Sequence, residues 1–272
     1  MERLKGKPVA EWIDERTKAE VMRLIEDEGI VPTLAILRVG SKESDIAYEN
    51  SAAKKAQTLG IHIEKFINDS ENIHGLLMLR PLPETVDEER ICNHVKSEKD
   101  IDGITEKVLG GIFTGNRLGF PPCTAEAAMA ILKYYGIDPK GKRAVVIGRS
   151  LVIGKPVAMM LMEQNATVTV CHSKTTPEDL KEICQNADII ICATGRRHTL
   201  TREHVNGKQV IIDVGINFDE NDKMCGDADF EEIKENVAAI TPVPGGVGTV
   251  TTALLMHHVV QAANAAADDA KK

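Results

Sequence analysis

Four short apolar runs rich in β-branched residues, RAVVI, ATVTV, ADIIICAT and QVIIDVG, follow one another between positions 143 and 215. ADIIICAT and QVIIDVG leave no polar face for water, so these strands must be covered on both sides. Helical spacing over 157–165 and again over 178–186 lies between the first three, with Thr176 and Pro177 as N-cap and first residue of the second helix. This alternation predicts a doubly wound parallel α/β sheet. The first run breaks at Gly148 and resumes as a helix, RAVVIGRSLVIGKP over 143–156. A strand, a glycine turn and a helix start deliver backbone N–H groups to a pyrophosphate. The glycines Gly148 and Gly154, with Arg149 and Ser150 between them, depart from the GxGxxG spacing. The same residues therefore also read as ordinary strand-turn-helix architecture.

A chain of 272 residues has room for two α/β domains with cores of their own. Its net charge of -8 and lack of a long Lys/Arg run argue against nucleic acid or an anionic membrane as partner. No apolar run approaches the roughly 20 residues of a bilayer helix, and the start MERLKGK is not followed by a signal-peptide core, so the cytoplasm is expected. Cys92, Cys123, Cys171, Cys184, Cys192 and Cys225 form no CxxC pair, so neither a metal site nor a disulfide framework is expected.

In the first half, helices are predicted over 9–27 and 44–59, with a strand over 32–39 between them. Two further strands, HIEKF and HGLLML, are separated only by INDSEN, too short for a βαβ crossover. Either these strands are not adjacent parallel neighbours or a crossover segment is missing. A helix over 88–95 leads to KDIDGIT, the turn-rich 114–122 reads as the exit from the domain, and a helix over 124–135 follows. At the far end TPVPGGVGTVT reads as a loop before an apolar helix over 253–266.

If 143–156 holds a dinucleotide, the end of the next strand distinguishes NAD from NADP, because an acid there pairs with a free 2′-hydroxyl. That strand ends Cys171-His172-Ser173-Lys174, without a carboxylate, and Ser173 with Arg149 could hold a 2′-phosphate. NADP is the expected cofactor, although His172 and Lys174 also suit a solvated turn. Ala193-Thr194-Gly195 and Val214-Gly215-Ile216 leave the C-terminal ends of later strands, where ligands gather in open α/β sheets. TPVPGGVGTVT could close over a flat ligand or serve as a rigid interdomain turn.

GRSLVIGKP, TVTVCHSKT, IIDVGIN, GDADF and TPVPGGVGTVT, in this order, resemble the bifunctional methylenetetrahydrofolate dehydrogenase and methenyltetrahydrofolate cyclohydrolase family. The resemblance implies a folate-binding domain over 1–121, completed by 252–272, separated by a cleft from a Rossmann-like NADP domain over 122–251, commonly as a homodimer. It places Arg149, Ser150, Gly154 and Ser173 on the cofactor phosphates, with Thr194, Gly195, Gly215, Gly248 and Thr251 near the ribose or nicotinamide. Gly148 and Ile216 complete the expected cofactor set. On the tetrahydrofolate side it implies Tyr48 against the rings, Asp102 on the pterin, and Pro244 and Gly245 lining the pocket. By spacing alone, DIDG around Asp102 reads as a turn.

Two departures bear on activity. The family's YxxxK has Ala52 where the lysine belongs, and its glutamine before Leu-Pro-Leu-Pro is Leu79, followed by Arg80. Hydride transfer from the methylene bridge leaves a nitrogen-stabilised cation and needs alignment without a general base. Hydrolysis of that cation needs proton transfer at the carbon. The expectation is an NADP-dependent methylenetetrahydrofolate dehydrogenase of one-carbon metabolism with weak or absent cyclohydrolase. The alternative is a fully bifunctional enzyme in which Lys55, two helical turns after Tyr48, or Arg80 takes over as catalytic cation. A Rossmann oxidoreductase on a non-folate substrate and a non-catalytic NADP-binding module also stay open. The Met159-Met160-Met162 cluster and the His257-His258 pair read as packing and helix-surface residues.

Overall fold

The computed structural model describes residues 1–40, 42–64 and 72–271. In chain order the elements are β1 (Glu2–Arg3), α1 (Gly6–Glu28), β2 (Thr33–Leu37), α2 (Glu43–Leu59), β3 (His62–Glu64), β4 (Gly75–Met78), α3 (Glu88–Cys92), α4 (Glu106–Thr114) and α5 (Cys123–Tyr134). There follow β5 (Arg143–Ile147), α6 (Gly154–Glu163), β6 (Thr167–Cys171), α7 (Pro177–Gln185), β7 (Ile189–Cys192), β8 (Val210–Asp213), β9 (Asn217–Phe218), β10 (Met224–Cys225), α8 (Phe230–Ile233), β11 (Ala239–Ile240) and α9 (Val247–Ala270). They form two compact units, one of Ala10–Cys123 with Thr252–Lys272, the other of Met1–Val9 with Thr124–Thr251.

In the first of these units β2 is the central strand of a parallel sheet ordered β3-β2-β4. Thus β3 and β4 flank β2 instead of pairing with each other, the first of the two readings of the short INDSEN link; residues 65–71 of that link lie outside the described residues. Apolar side chains of α1, α2, β2, β4 and α9 share one core, including Leu24, Leu34, Ala56, Leu77 and Val259. Helix α2 stops at Gly60, whose left-handed backbone lets its N–H reach the carbonyls of the last turn. Helix α4 lies where the sequence analysis assigns no element, and Gly110 and Gly111 weaken its propensity. It is secured by Thr105, whose hydroxyl accepts from the Val108 N–H at 3.3 Å.

The other unit contains a six-stranded parallel sheet ordered β1-β11-β8-β7-β5-β6. Strand order reverses between β5 and β7, which makes their C-terminal ends the topological switch point of a doubly wound sheet. Ile190, Ile191, Ile211 and Ile212 are fully buried, as their unbroken apolar runs require. Thr176 caps α7 by accepting the Asp179 N–H at 3.2 Å, with Pro177 at the helix start.

Two expectations change. Residues 1–9, expected in the folate-side domain, belong to the unit of the six-stranded sheet, because β1 adds in parallel to the edge strand β11. The Glu2 N–H donates to Ala238 O at 2.8 Å and the Leu4 N–H to Ile240 O at 3.0 Å. The expected loop over 241–251 is a loop only to Gly246; Val247 starts α9. The two-residue strands β9 and β10, an antiparallel hairpin, and the edge strands β1 and β11 are too short to show a period of two. Among the described residues no helix is long and apolar enough to cross a membrane.

Leu4 is fully buried beside this edge pair. Leu4→Ala is expected to cost about 2–5 kcal/mol and to raise hydrogen exchange at β11 before exchange in β2 and β4 changes, as mass-resolved exchange would show. Equal loss in both units would contradict the assignment of the N-terminal strand.

Candidate functional site

The turn after β5 is built by glycines in contact. Gly148 has φ 135°, and a Cβ there would strike the carbonyl of Ala193 at the end of β7. A Cβ on Gly154 would overlap the Gly148 carbonyl. The first turn of α6 is therefore drawn against the end of β5, with Arg149 and Ser150 exposed on the turn. The Ser150 hydroxyl accepts from the Ile153 N–H at 3.3 Å, which leaves its own proton free to donate. These groups fit the phosphates of a dinucleotide: a helix N-terminus at the switch point, a backbone without side chains, an exposed hydroxyl and an exposed guanidinium. After β6, the His172 ring accepts the Lys174 N–H at 3.2 Å and Thr175 accepts the His172 N–H at 3.0 Å, so this is an ordered turn that leaves Ser173 exposed.

Thr194 and Gly195 follow β7, and Gly215 and Ile216 follow β8. Thr194 is turned inward: its hydroxyl and N–H both donate to Asp227. Only its backbone carbonyl is left to serve a ligand. Ile216 is 61% exposed. Gly248 and Thr251 sit in the first turns of α9, and Pro244 and Gly245 are exposed in the turn before it, with Gly245 O accepting the Gly6 N–H at 2.8 Å.

Two buried aspartates, Asp213 of IIDVGIN and Asp227 of GDADF, stand behind these loops. Asp213, at the end of β8, accepts the N–H groups of Gly215 and Asp227 on Oδ1, both at 3.0 Å, and of Ala228 on Oδ2 at 2.9 Å. Burial pushes its carboxyl up to about 7, and the neighbouring Asp227 adds to the rise, against the lowering effect of those three donors. Oδ2 accepts a single N–H, so it has room for the proton. What could have revealed Asp213 is its place directly after an apolar run, where a buried role fits.

In the unit carrying Tyr48 the ring is 40% exposed, but burial of its hydroxyl end, followed by the Asp102 carboxylate, raises the phenol well above its usual range. Tyr48 stays protonated at neutral pH and can act as a donor, not a base. Asp102 is raised chiefly by burial, opposed by hydrogen bonds from the Cys123 thiol and N–H and by the Arg80 charge. The turn expected of DIDG belongs to Asp100, which accepts the N–H groups of Ile104 and Thr105 at 2.9 Å each. That frees Asp102 for other partners. Arg80 lies 3.6 Å from Glu88, whose second oxygen accepts the Leu82 N–H at 2.6 Å.

Tyr48, Asp102 and Arg80 are thus brought together, whereas Lys55 is not: its amine is ion-paired with Asp14 of α1. Ala52 is 1% exposed and Leu79 8% exposed, and both belong to the apolar core. His257 and His258, expected partly on the helix surface, are buried. His258 Nδ1 lies 2.7 Å from Ile101 O and its ring stacks on Phe120. Among the described residues no group of three or more His, Cys, Asp or Glu is arranged to hold a metal.

The raised Asp213 gives a pH signature. Between its ordinary 3.8 and about 7 the folded chain keeps a proton that the unfolded chain has released. The stability this confers is complete below 3.8 and is lost as the pH climbs through about 7. The loss amounts to at most about 1.4 kcal/mol per pH unit. Urea midpoints at pH 5 and pH 8 should differ in this sense in the parent chain, and Asp213→Asn should flatten the difference; an unchanged slope in the variant would remove Asp213 as its source.

Comparison with known proteins agrees with this arrangement. Residues 122–267 match the NAD(P)-binding domain, and residues 4–67 the catalytic domain, of the tetrahydrofolate dehydrogenase/cyclohydrolase family. The bifunctional protein FolD of Carboxydothermus hydrogenoformans is 46% identical over 280 aligned positions, covering 96% of each chain. A FolD of Clostridium botulinum strain Okra is also 46% identical, covering 96% of this chain and 97% of the relative. The crystal structure of the Campylobacter jejuni bifunctional FolD superposes with a TM-score of 0.93 at 36% identity, covering 97% of this chain and 99% of that one. A Trypanosoma brucei FolD solved with NADP cofactor and inhibitor superposes with a TM-score of 0.88 at 29% identity, covering 96% of each. With both domain models matched in order and nearly the full length aligned, the chain belongs to the tetrahydrofolate dehydrogenase/cyclohydrolase family.

Proposed function

We propose that this enzyme oxidises 5,10-methylenetetrahydrofolate to the 5,10-methenyl form with NADP, and that its cyclohydrolase step is weak or absent. The observation that carries the second part is that Ala52 and Leu79 lie in one apolar core while Lys55 is held by Asp14. A position closed by packed apolar side chains cannot deliver or receive the protons of hydrolysis. Arg80, beside Asp102 and Glu88, remains charged and suits orientation of a substrate carbonyl or amide better than proton shuttling.

Bound NADP would supply the hydride acceptor. Gly148, Ser150 and the first turn of α6 would hold its diphosphate, and Arg149 with Ser173 its 2′-phosphate. On the folate side Asp102 would bind the pterin edge, and the protonated Tyr48 would donate a hydrogen bond to the substrate while its ring packs against it. Loss of hydride leaves the methylene carbon as a cation stabilised by its own nitrogens, so these residues need only orient the carbon. The absence of a carboxylate at Ser173 and the solved relative with NADP support the choice of NADP over NAD.

With methylenetetrahydrofolate and NADP, the purified protein is expected to form NADPH and to accumulate methenyltetrahydrofolate in nearly equal amounts. Prompt consumption of added methenyltetrahydrofolate would instead establish the bifunctional reading. Lys55→Gln should leave methenyl hydrolysis unchanged; a large loss would make Lys55 the replacement cation. Arg149→Ala removes a charge-assisted contact of roughly 1.5–3 kcal/mol, so the KM for NADP should rise by roughly 10- to 100-fold with little change for NAD. Equal effects on both cofactors would place the 2′-phosphate elsewhere.

A further inference from the structure

We propose that Asp227 is a positioning residue for the nucleotide, the strut that holds the loop after β7 and the loop after β8 in one fixed geometry. The inference rests on the NADP reading above and adds to it a residue that touches no ligand. Strand order reverses between β5 and β7, so the crevice for a ligand in this sheet is bordered by the loop after β7. That loop is fastened from behind by a single carboxylate oxygen. Asp227 Oδ2 accepts the Thr194 N–H at 2.6 Å, the Thr194 hydroxyl at 3.0 Å and the Gly195 N–H at 3.1 Å. Its other oxygen accepts Nδ2 of Asn217 at 2.9 Å, and Asn217 immediately follows the exposed Ile216. Asp227 is fully buried, and these four bonds all go to residues beyond the ends of β7 and β8.

The fit leaves little slack. A Cβ on Gly215 would collide with the Asp227 carboxylate, and a Cβ on Gly226 would collide with the Asp213 carboxylate. Each acid fills the space that a glycine in the opposite strand-end segment leaves open. Asp213 in turn accepts the Asp227 N–H, so the backbone carrying the strut is itself held. A side chain committed in this way sets where the Gly195 and Ile216 backbones stand. A shift of about an ångström there is enough to lose much of an oriented reaction's rate.

An asparagine at 227 can satisfy the three donors on Oδ2 with its carbonyl, but then its amide confronts the Asn217 amide, donor against donor. Exchanging the second residue as well, Asp227→Asn with Asn217→Asp, restores an acceptor there, although it gives up the bond from Asn217 Nδ2 to Gly226 O at 3.1 Å. The test uses the full chain, with NADP affinity read by fluorescence titration, KM values for NADP and for methylenetetrahydrofolate measured separately, and thermal midpoints recorded. Asp227→Asn is expected to raise the NADP KM by about tenfold or more, as for one lost buried hydrogen bond to a charged group, with the folate KM within about twofold. The double variant should recover part of that loss, since it repairs the contact with residue 227 but not the one with Gly226 O.

An NADP KM unchanged in a folded Asp227→Asn protein, or a double variant with no recovery, would overturn the proposal while leaving the NADP reading intact. A parent chain that does not bind NADP would overturn both. Should Asp227→Asn fail to fold, Asn217→Ala, which removes a donor from Oδ1 and leaves the three on Oδ2, serves instead: a higher NADP KM supports the strut and an unchanged one overturns it.

Discussion

Buried carboxyl groups at the ends of a parallel sheet are the constraint from which the cofactor half of this enzyme is built. Where β7 and β8 stop, their backbone donors lose the strand ladder, and an unpaired buried N–H costs about 1–3 kcal/mol. Asp213 and Asp227 take up these donors. Their desolvation is offset by the number of bonds each accepts, and the result is a set of loops with one geometry in place of many. The glycines of IIDVGIN and GDADF follow from the same cause, since each must yield room to a carboxylate. A cofactor crevice that must hold two reacting rings in line can be built on such loops, and not on ones that drift.

The other unit divides its labour differently. Its polar residues converge on Asp102, Arg80 and the phenol of Tyr48, all suited to binding and orientation. The space the family gives to proton transfer is occupied by Ala52 and Leu79 within the core. Under the proposed function, hydride transfer survives this exchange because the substrate's nitrogens stabilise the cation, and hydrolysis, which needs proton transfer at the carbon, is the step that suffers. The pairing of Lys55 with Asp14 commits that amine away from Tyr48. Lys54, six residues after Tyr48, is exposed, as its helical phase requires.

Much of this was legible in the amino-acid sequence, and what was not has physical reasons. Continuous β-branched runs predict β5, β7 and β8 because burial on both faces leaves them no alternative, whereas ATVTV forms the largely exposed edge strand β6. Helix α7 announces itself through Thr176 and Pro177, since caps act locally. The two-residue strands at the sheet edge and in the hairpin carry no such mark, because their pairing is decided by partners distant in the chain. Helix α4 was hidden by its own glycines, although Gly111 is required where a Cβ would meet the Asn116 carbonyl. At the site, the DIDG motif shows how far local reading reaches. It anticipates a turn, but only tertiary contacts reveal that Asp100 makes it and leaves Asp102 to Cys123. Asp213 and Asp227 escaped for the same reason, most of their partners lying in loops distant in the chain.

The dependence of the cofactor loops on these carboxylates is tested most directly by residue-resolved hydrogen exchange of the intact chain without cofactor. The account predicts that the amides of Thr194, Gly195, Gly215 and Ala228, although in loops, exchange nearly as slowly as those of β7 and β8, because their hydrogen bonds open only when the sheet does. Exchange of these four at the rate of exposed loop amides would contradict it.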